Sequence, residues 1–224
     1  MSKKAATKQD EFESVEQVLT KSEAFIEKYQ KQLLYGLGIV AVIVMSLLAI
    51  NNFYMKPRSI EAANEMYKSQ VYFSTDSFRL ALEGDGFESI GFQAISTDFS
   101  LTSSGNLAKA YVGICYYHLG DYEQAVTYLS GFDTDDQYIS IMAIGLMGDC
   151  YAELGEPQKA IKFFMKAAEA KNDILSPLYL KKAAIVYESE GDLKTALKNY
   201  QTIQSDYPLS VESQDIDKYI ARLQ

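Results

Sequence analysis

Few side chains in this sequence are of a type and spacing that could do chemistry. The single histidine, His118, stands three residues after Cys115, near the end of a predicted helix. A metal site wants several His, Cys or carboxylate ligands converging, and these two alone cannot supply one. Asp133-Thr134-Asp135-Asp136 matches the opening of a calcium loop, where alternate carboxylates grip a hard cation. The turn glycine and the distal bidentate glutamate are missing, so a solvated loop is expected there. Gly84-Asp85-Gly86 is too short to cradle a phosphate and lacks a following Lys-Ser/Thr. Serine, cysteine and lysine nucleophiles are present, yet none has a recognisable base and orienting group. The sequence points away from an enzyme, with no cofactor or metal, and towards binding.

The elements that would position a binding surface repeat along the chain. Segments starting at Gly113 (GICYYHLGDYEQAVTYL), Gly148 (GDCYAELGEPQKAIKFF) and Ala183 (AAIVYESEGDLKTALKNY) align through their central turns. Turn glycines Gly120, Gly155 and Gly191 are 35 and 36 residues apart. Gly113, Gly148 and Ala184 are small where two helices of a hairpin nearly touch, and Tyr116, Tyr151 and Tyr187 fill the space beside that contact. Tyr122, Pro157 and Leu193 open the second helices. Ala125, Ala160 and Ala196 are small again, and Leu129, Phe164 and Tyr200 supply bulk. Tyr207-Pro208 then stops the last helix. This pattern resembles the tetratricopeptide repeat, a helix–turn–helix unit of about 34 residues. A degenerate copy precedes the three, with Ser69, Tyr72, Asp76, Phe78 and Ala81 in the corresponding places. The pattern breaks at Glu83-Gly84-Asp85-Gly86, and a further helix is expected from about Glu88 to Phe99. Residues 211–223 read as a closing helix, which a solenoid needs to cover its last apolar face.

The remaining functional surface is the groove lined by first helices. The repeat register puts Tyr111, Ile114, Tyr117 and His118 on it, then Met142, Asp149 and Glu153, then Lys181, Ile185 and Glu188. Mixed aromatic and acidic character suits a partner segment with apolar and basic residues. Ile114, Asp149 and Ile185 occupy the position where an Asn would be wanted to grip a C-terminal carboxylate, which argues against that mode.

Upstream, residues 33–50 read LLYGLGIVAVIVMSLLAI, eighteen positions without a charge. They cover about 27 Å as a helix, and Asn51 to Met55 extend the segment to a bilayer's thickness. Some 32 residues precede the run and no A-x-A site follows it, so an uncleaved signal anchor over 33–55 is expected. Lysines are more frequent before the span than just after it, a bias that favours a cytoplasmic N-terminus and a periplasmic C-terminal domain. The reverse topology, with the repeats in the cytosol, stays open. Phe12, Val15, Leu19, Ser22, Ile26, Tyr29 and Leu33 form a short heptad seam, read either as a helix lying on headgroups or as a docking helix. Pro57 ends the span or opens the next helix, with Ser59 a possible N-cap. Six acidic and six basic residues precede the span, so the formal net charge of −9 belongs to the downstream domain. Such a domain repels phosphate backbones, and nucleic-acid binding is not expected. Cys115 and Cys150 fall at the same position of successive repeats, too far apart for a disulfide.

The whole arrangement resembles the YfgM-like family of bacterial inner-membrane proteins, in a Bacteroidota-type form. GDG-x4-GF (Gly84 to Phe92), SGNLA (Ser104 to Ala108) and YP-x-S-x-E…KYI-x-R (Tyr207 to Arg222) carry the likeness. The resemblance implies an accessory role at the Sec protein-translocation channel, beside a parvulin-like PpiD-type periplasmic chaperone, with emerging secretory or outer-membrane proteins as clients. The fold expected is all-α: one transmembrane helix, then a tetratricopeptide-repeat solenoid of about four repeat-like units plus a capping helix. Its divisions are 1–32, a cytoplasmic segment; 33–55, the anchor; 57–101, a degenerate unit with an extra helix; and 102–224, three repeats and the cap. An organiser of another envelope-assembly or secretion complex, unrelated to the Sec channel, is the alternative.

Overall fold

The computed structural model describes residues 28–32 and 34–224, and among these every regular element is a helix. The heptad positions from Phe12 to Ile26, and Leu33, lie outside the described residues. The chain divides between Pro57 and Arg58 into two units.

In the first unit, α1 comprises residues 28–32 and 34–50. Its large apolar side chains between Leu34 and Ile50 are all exposed, and Gly36 and Gly38 have open space at their flanks. By length and composition it is the one helix among the described residues able to cross a membrane. A single π-helical turn, Asn51–Met55, follows, in which the Lys56 N–H reaches back to the Asn51 carbonyl. The cause lies just downstream. Pro57 has no N–H to give and its ring crowds the carbonyl four residues back, and widening the turn relieves both faults. Pro57 is the second residue of α2 (Lys56–Ser74), and Ser59 is helical interior rather than an N-cap.

The second unit is a stack of helical hairpins. Its regular members are α5 (Ser103–Leu119) with α6 (Tyr122–Ser130), α7 (Gln137–Glu153) with α8 (Pro157–Ala168), and α9 (Leu175–Ser189) with α10 (Leu193–Asp206). Gly120, Gly155 and Gly191 turn each hairpin with φ of 82°, 70° and 81°, the left-handed region that costs a residue with a Cβ. The second helices then start cleanly. Asp121 and Asp192 accept the N–H of Gln124 and Thr195, and Pro157 takes the first helical position of α8. Within hairpins the alternation of small and large holds. A Cβ on Gly113 would lie 2.5 Å from Leu129, and one on Gly148 2.5 Å from Phe164. Ala125, Ala160 and Ala196 are completely buried, with Leu129, Phe164 and Tyr200 beside them.

The first hairpin pairs α2 with a second helix built in two pieces, α3 (Phe78–Glu83) and α4 (Gly91–Asp98). Asp76 makes the turn with φ 55°. The expected break and further helix are both present, with the excursion Gly84–Ile90 between α3 and α4. A Cβ on Gly91 would fall 2.4 Å from the Gly84 nitrogen and from the Leu82 carbonyl oxygen, so the two ends of the excursion touch. With seven residues removed, the buried series Ala81, Leu82, Phe92, Ile95, Ser96 and Phe99 takes the i, i+1, i+4, i+7, i+8, i+11 spacing of one apolar face. Phe92 then stands four places after Ala81, as Leu129, Phe164 and Tyr200 stand after their alanines. α4 starts at Gly91, later than Glu88, because the returning chain needs the glycine's φ of 80°.

At the far end, α11 (Ile216–Leu223) covers the last hairpin with Ile216 and Ile220 buried. It is shorter than the 211–223 expected. Glu212–Asp215 form a 3-10 turn, and Ser213 Oγ donates back to the carbonyls of Pro208 and Ser210, which ties this stretch into a tight local turn. Val211 is left exposed.

Candidate protein-binding groove

The first helices α2, α5, α7 and α9 line a groove of about 490 Å³. Residues spaced three and four apart supply its walls: Leu107, Tyr111 and Ile114 from α5, and Ile139, Met142, Leu146 and Asp149 from α7. Phe73, from α2, lies on one wall and Tyr179, from α9, on the other. Tyr111 is held in place. It stacks on Phe92 at 4.6 Å between ring centroids, meets Phe73 edge-on at 5.1 Å, and its hydroxyl accepts from Gln70 Nε2 at 3.2 Å. Met142 remains 55% exposed, a flexible side chain suited to adapting to an occupant.

The groove's one carboxylate is already answered. Both oxygens of Asp149 accept from Lys182 Nζ at 2.7 Å, and that ammonium also lies over the rings of Phe164 and Tyr179. Burial, then the Asp149 charge, pushes the Tyr179 phenol up to about 12, so it stays neutral. Tyr179 packs against Gly145, where α7 and α9 nearly touch.

The other expected positions divide three ways. Tyr117 lies further along α5, edge-on to Tyr122 and His118, with its phenol raised by burial and by the nearby Asp149 and Glu153 charges. His118 stacks flat on Phe78 at 4.1 Å, and Glu153 is exposed near the end of α7. Ile185 is exposed on α9. Lys181 and Glu188 are taken up by the C-terminal segment. Lys181 pairs with Asp215 at 2.7 Å and lies over Tyr219. Glu188 pairs with Arg222 at 2.6 Å and accepts the Tyr200 hydroxyl at 2.5 Å. The closing helix thus sits where the first helix of a further repeat would, and the acidic character expected of the groove is largely spent on internal pairs. Phe73, Leu107, Ile139, Leu146 and Tyr179 were not anticipated. The α7 spacing 139, 142, 146, 149 carried the signal for two of them, while Tyr179 reaches in only because Gly145 leaves room.

Chemically the groove offers apolar contact and little else. No group of three or more His, Cys, Asp or Glu stands together among the described residues. Cys115 and Cys150 are buried and free, and burial pushes both thiols up to about 12, far from the thiolate a nucleophile needs.

Tetratricopeptide-repeat models match residues 111–132, 143–174 and 180–210, which overlap the three regular hairpins. No curated protein matches the chain. Tetratricopeptide repeats bind protein partners generally, so their presence implies a protein–protein interaction scaffold.

Proposed function

We propose that this chain is a non-enzymatic, membrane-anchored scaffold whose groove holds an apolar segment of another protein. The observation that carries the reading is the groove itself: Tyr111, Ile114, Met142 and Leu146 converge on about 490 Å³ of open space, and its one charge is paired within the fold. An occupant therefore needs apolar side chains at helical or extended spacing more than it needs cations. The anchor over 33–55 would fix the repeats beside a bilayer, with the N-terminus cytoplasmic and the repeats periplasmic.

The finer reading places the scaffold at the Sec channel, gripping a PpiD-like chaperone or an emerging secretory protein. Its support is the YfgM-like resemblance in the Gly84–Phe92, Ser104–Ala108 and Tyr207–Arg222 motifs. The test is co-purification in mild detergent from cells carrying the intact chain or Ile114→Asp/Met142→Glu. Channel subunits should accompany both proteins, and the chaperone or client only the first. Equal recovery of every partner with both forms rejects the groove, and absence of channel subunits from both rejects the Sec assignment. Orientation is read separately. In intact spheroplasts a cysteine at Ser210 should react with a membrane-impermeant maleimide and one at Ser2 should not.

A further inference from the structure

The excursion Gly84–Ile90 is not needed to complete the second helix of its hairpin, since the apolar face resumes in phase at Phe92. It is nevertheless built with care. One oxygen of Asp85 accepts the backbone N–H of Phe87, Glu88 and Ser89, each at 2.9 Å, and the other accepts the Tyr72 hydroxyl at 2.7 Å. The Asp85 N–H donates back to the Ser89 carbonyl at 3.1 Å. Ser89, 3% exposed, bonds Ser69 through its hydroxyl at 2.9 Å and accepts the Gly91 N–H at 3.3 Å. Gly84, Gly86 and Gly91 all take positive φ to close the path. This framework carries Phe87, 97% exposed. The bonds from the Phe87, Glu88 and Ser89 N–H groups fix the backbone beneath that ring.

We propose that Phe87 is a pre-built anchor that enters an apolar socket edged by cationic side chains on a protein partner, a docking point separate from the groove. An aromatic residue whose backbone is fixed before contact loses less entropy on binding than one on a loose loop. Insertions in repeat arrays often supply a binding face. The charge around the ring selects the partner. Glu88 stands beside Phe87, exposed and with no ion pair to its carboxylate among the described residues, Glu83 is held by Arg79 at 3.2 Å, and the domain carries the whole formal net charge of −9. A second copy of the chain brings the same charge and is repelled, as is an anionic lipid surface. Phe87 is not among the groove residues, so the two readings stand or fall separately.

The test places p-benzoylphenylalanine at Phe87, and as a comparison at the equally exposed Leu209, in the full chain in its own cells. Irradiation should give one discrete protein adduct from position 87 and not from 209. Peptide mapping should locate it in an apolar pocket flanked by Lys or Arg. Its yield in isolated membranes should fall roughly five- to tenfold at high salt or with Glu88→Lys. Because Phe87 is exposed, Phe87→Ala should melt like the native chain, so loss of the complex in that variant reads binding and not folding. The proposal is overturned by no adduct above the Leu209 level, by adducts with lipid or a second copy, or by a mapped site without flanking cations.

Discussion

Replacing Gly145 with alanine should destabilise the repeat domain, against the usual direction of that change inside a helix. Alanine in place of a mid-helix glycine ordinarily stabilises by about 0.5–1 kcal/mol, because less backbone entropy is lost on folding. At Gly145 the new Cβ would lie 2.0 Å from Cε1 and Cζ of Tyr179 and 2.4 Å from its hydroxyl oxygen. Tyr179 is 5% exposed and its ring is stacked on Phe164 at 6.3 Å, so it cannot swing aside without opening the α7–α9 contact. Overpacking of this kind costs about 1–3 kcal/mol, which leaves a net loss of up to about 2.5 kcal/mol once the helix gain is subtracted. For a domain of this size the melting temperature should drop by up to about 10 °C. The assay is thermal unfolding of the full chain in detergent micelles, followed by circular dichroism. Tyr179→Leu supplies the control, since with the ring gone Gly145→Ala should be neutral or stabilising by up to about 1 kcal/mol. A rise in melting temperature in the native background refutes the reasoning. So does an equal loss in both backgrounds.

The hairpin register predicts that Ala160→Phe, at a completely buried position, lowers stability by about 1–3 kcal/mol. Gln158→Phe, on the exposed side of the same helix, should change it by less than about 0.5 kcal/mol in the same melts. The Asp85 carboxylate gives a pH prediction. Its hydrogen bonds from the Ser89 N–H, the Tyr72 hydroxyl and the Phe87 N–H hold it well below its ordinary 3.8. A carboxyl lowered on folding stabilises the fold above its unfolded value, and that contribution is lost as pH falls from 3.8 through the folded value. Carboxyl-carbon NMR should therefore find Asp85 still ionised when exposed aspartates are half protonated, and Tyr72→Phe should bring its titration closer to theirs.

The hairpins were legible in the sequence because their rule is local. A glycine or alanine at one position fixes how close two helices come, and Leu129, Phe164 and Tyr200 fill what remains. The first hairpin was legible up to Ala81, but the excursion hid where its second helix's apolar face resumes, because period-based reading assumes an unbroken chain. Phe92 follows Ala81 by eleven residues in sequence but occupies the place four residues on in space. Ser59 misled as a possible N-cap, since α2 already begins at Lys56, just after the π turn. In the groove, Tyr111, Ile114, Met142 and Asp149 followed from register alone. The pairing of Lys181 and Glu188 with Asp215 and Arg222 did not, because it depends on where the closing helix docks, some 34 residues further along.

The divided second helix also sets an order of events during folding. Segments of six and eight residues, α3 and α4, are too short to hold helical structure alone. They join only after the excursion has closed and both have found α2 and α5. The longer helices of the α7–α8 and α9–α10 hairpins rest on contacts near in sequence and need no such prior step. Structure should therefore nucleate among the later repeats and travel back towards residue 58. Pulse-labelled amides of α3 and α4 would then be the last in the domain to gain protection from exchange. A chain made from its N-terminus would emerge with the second helix of its first hairpin waiting on α5.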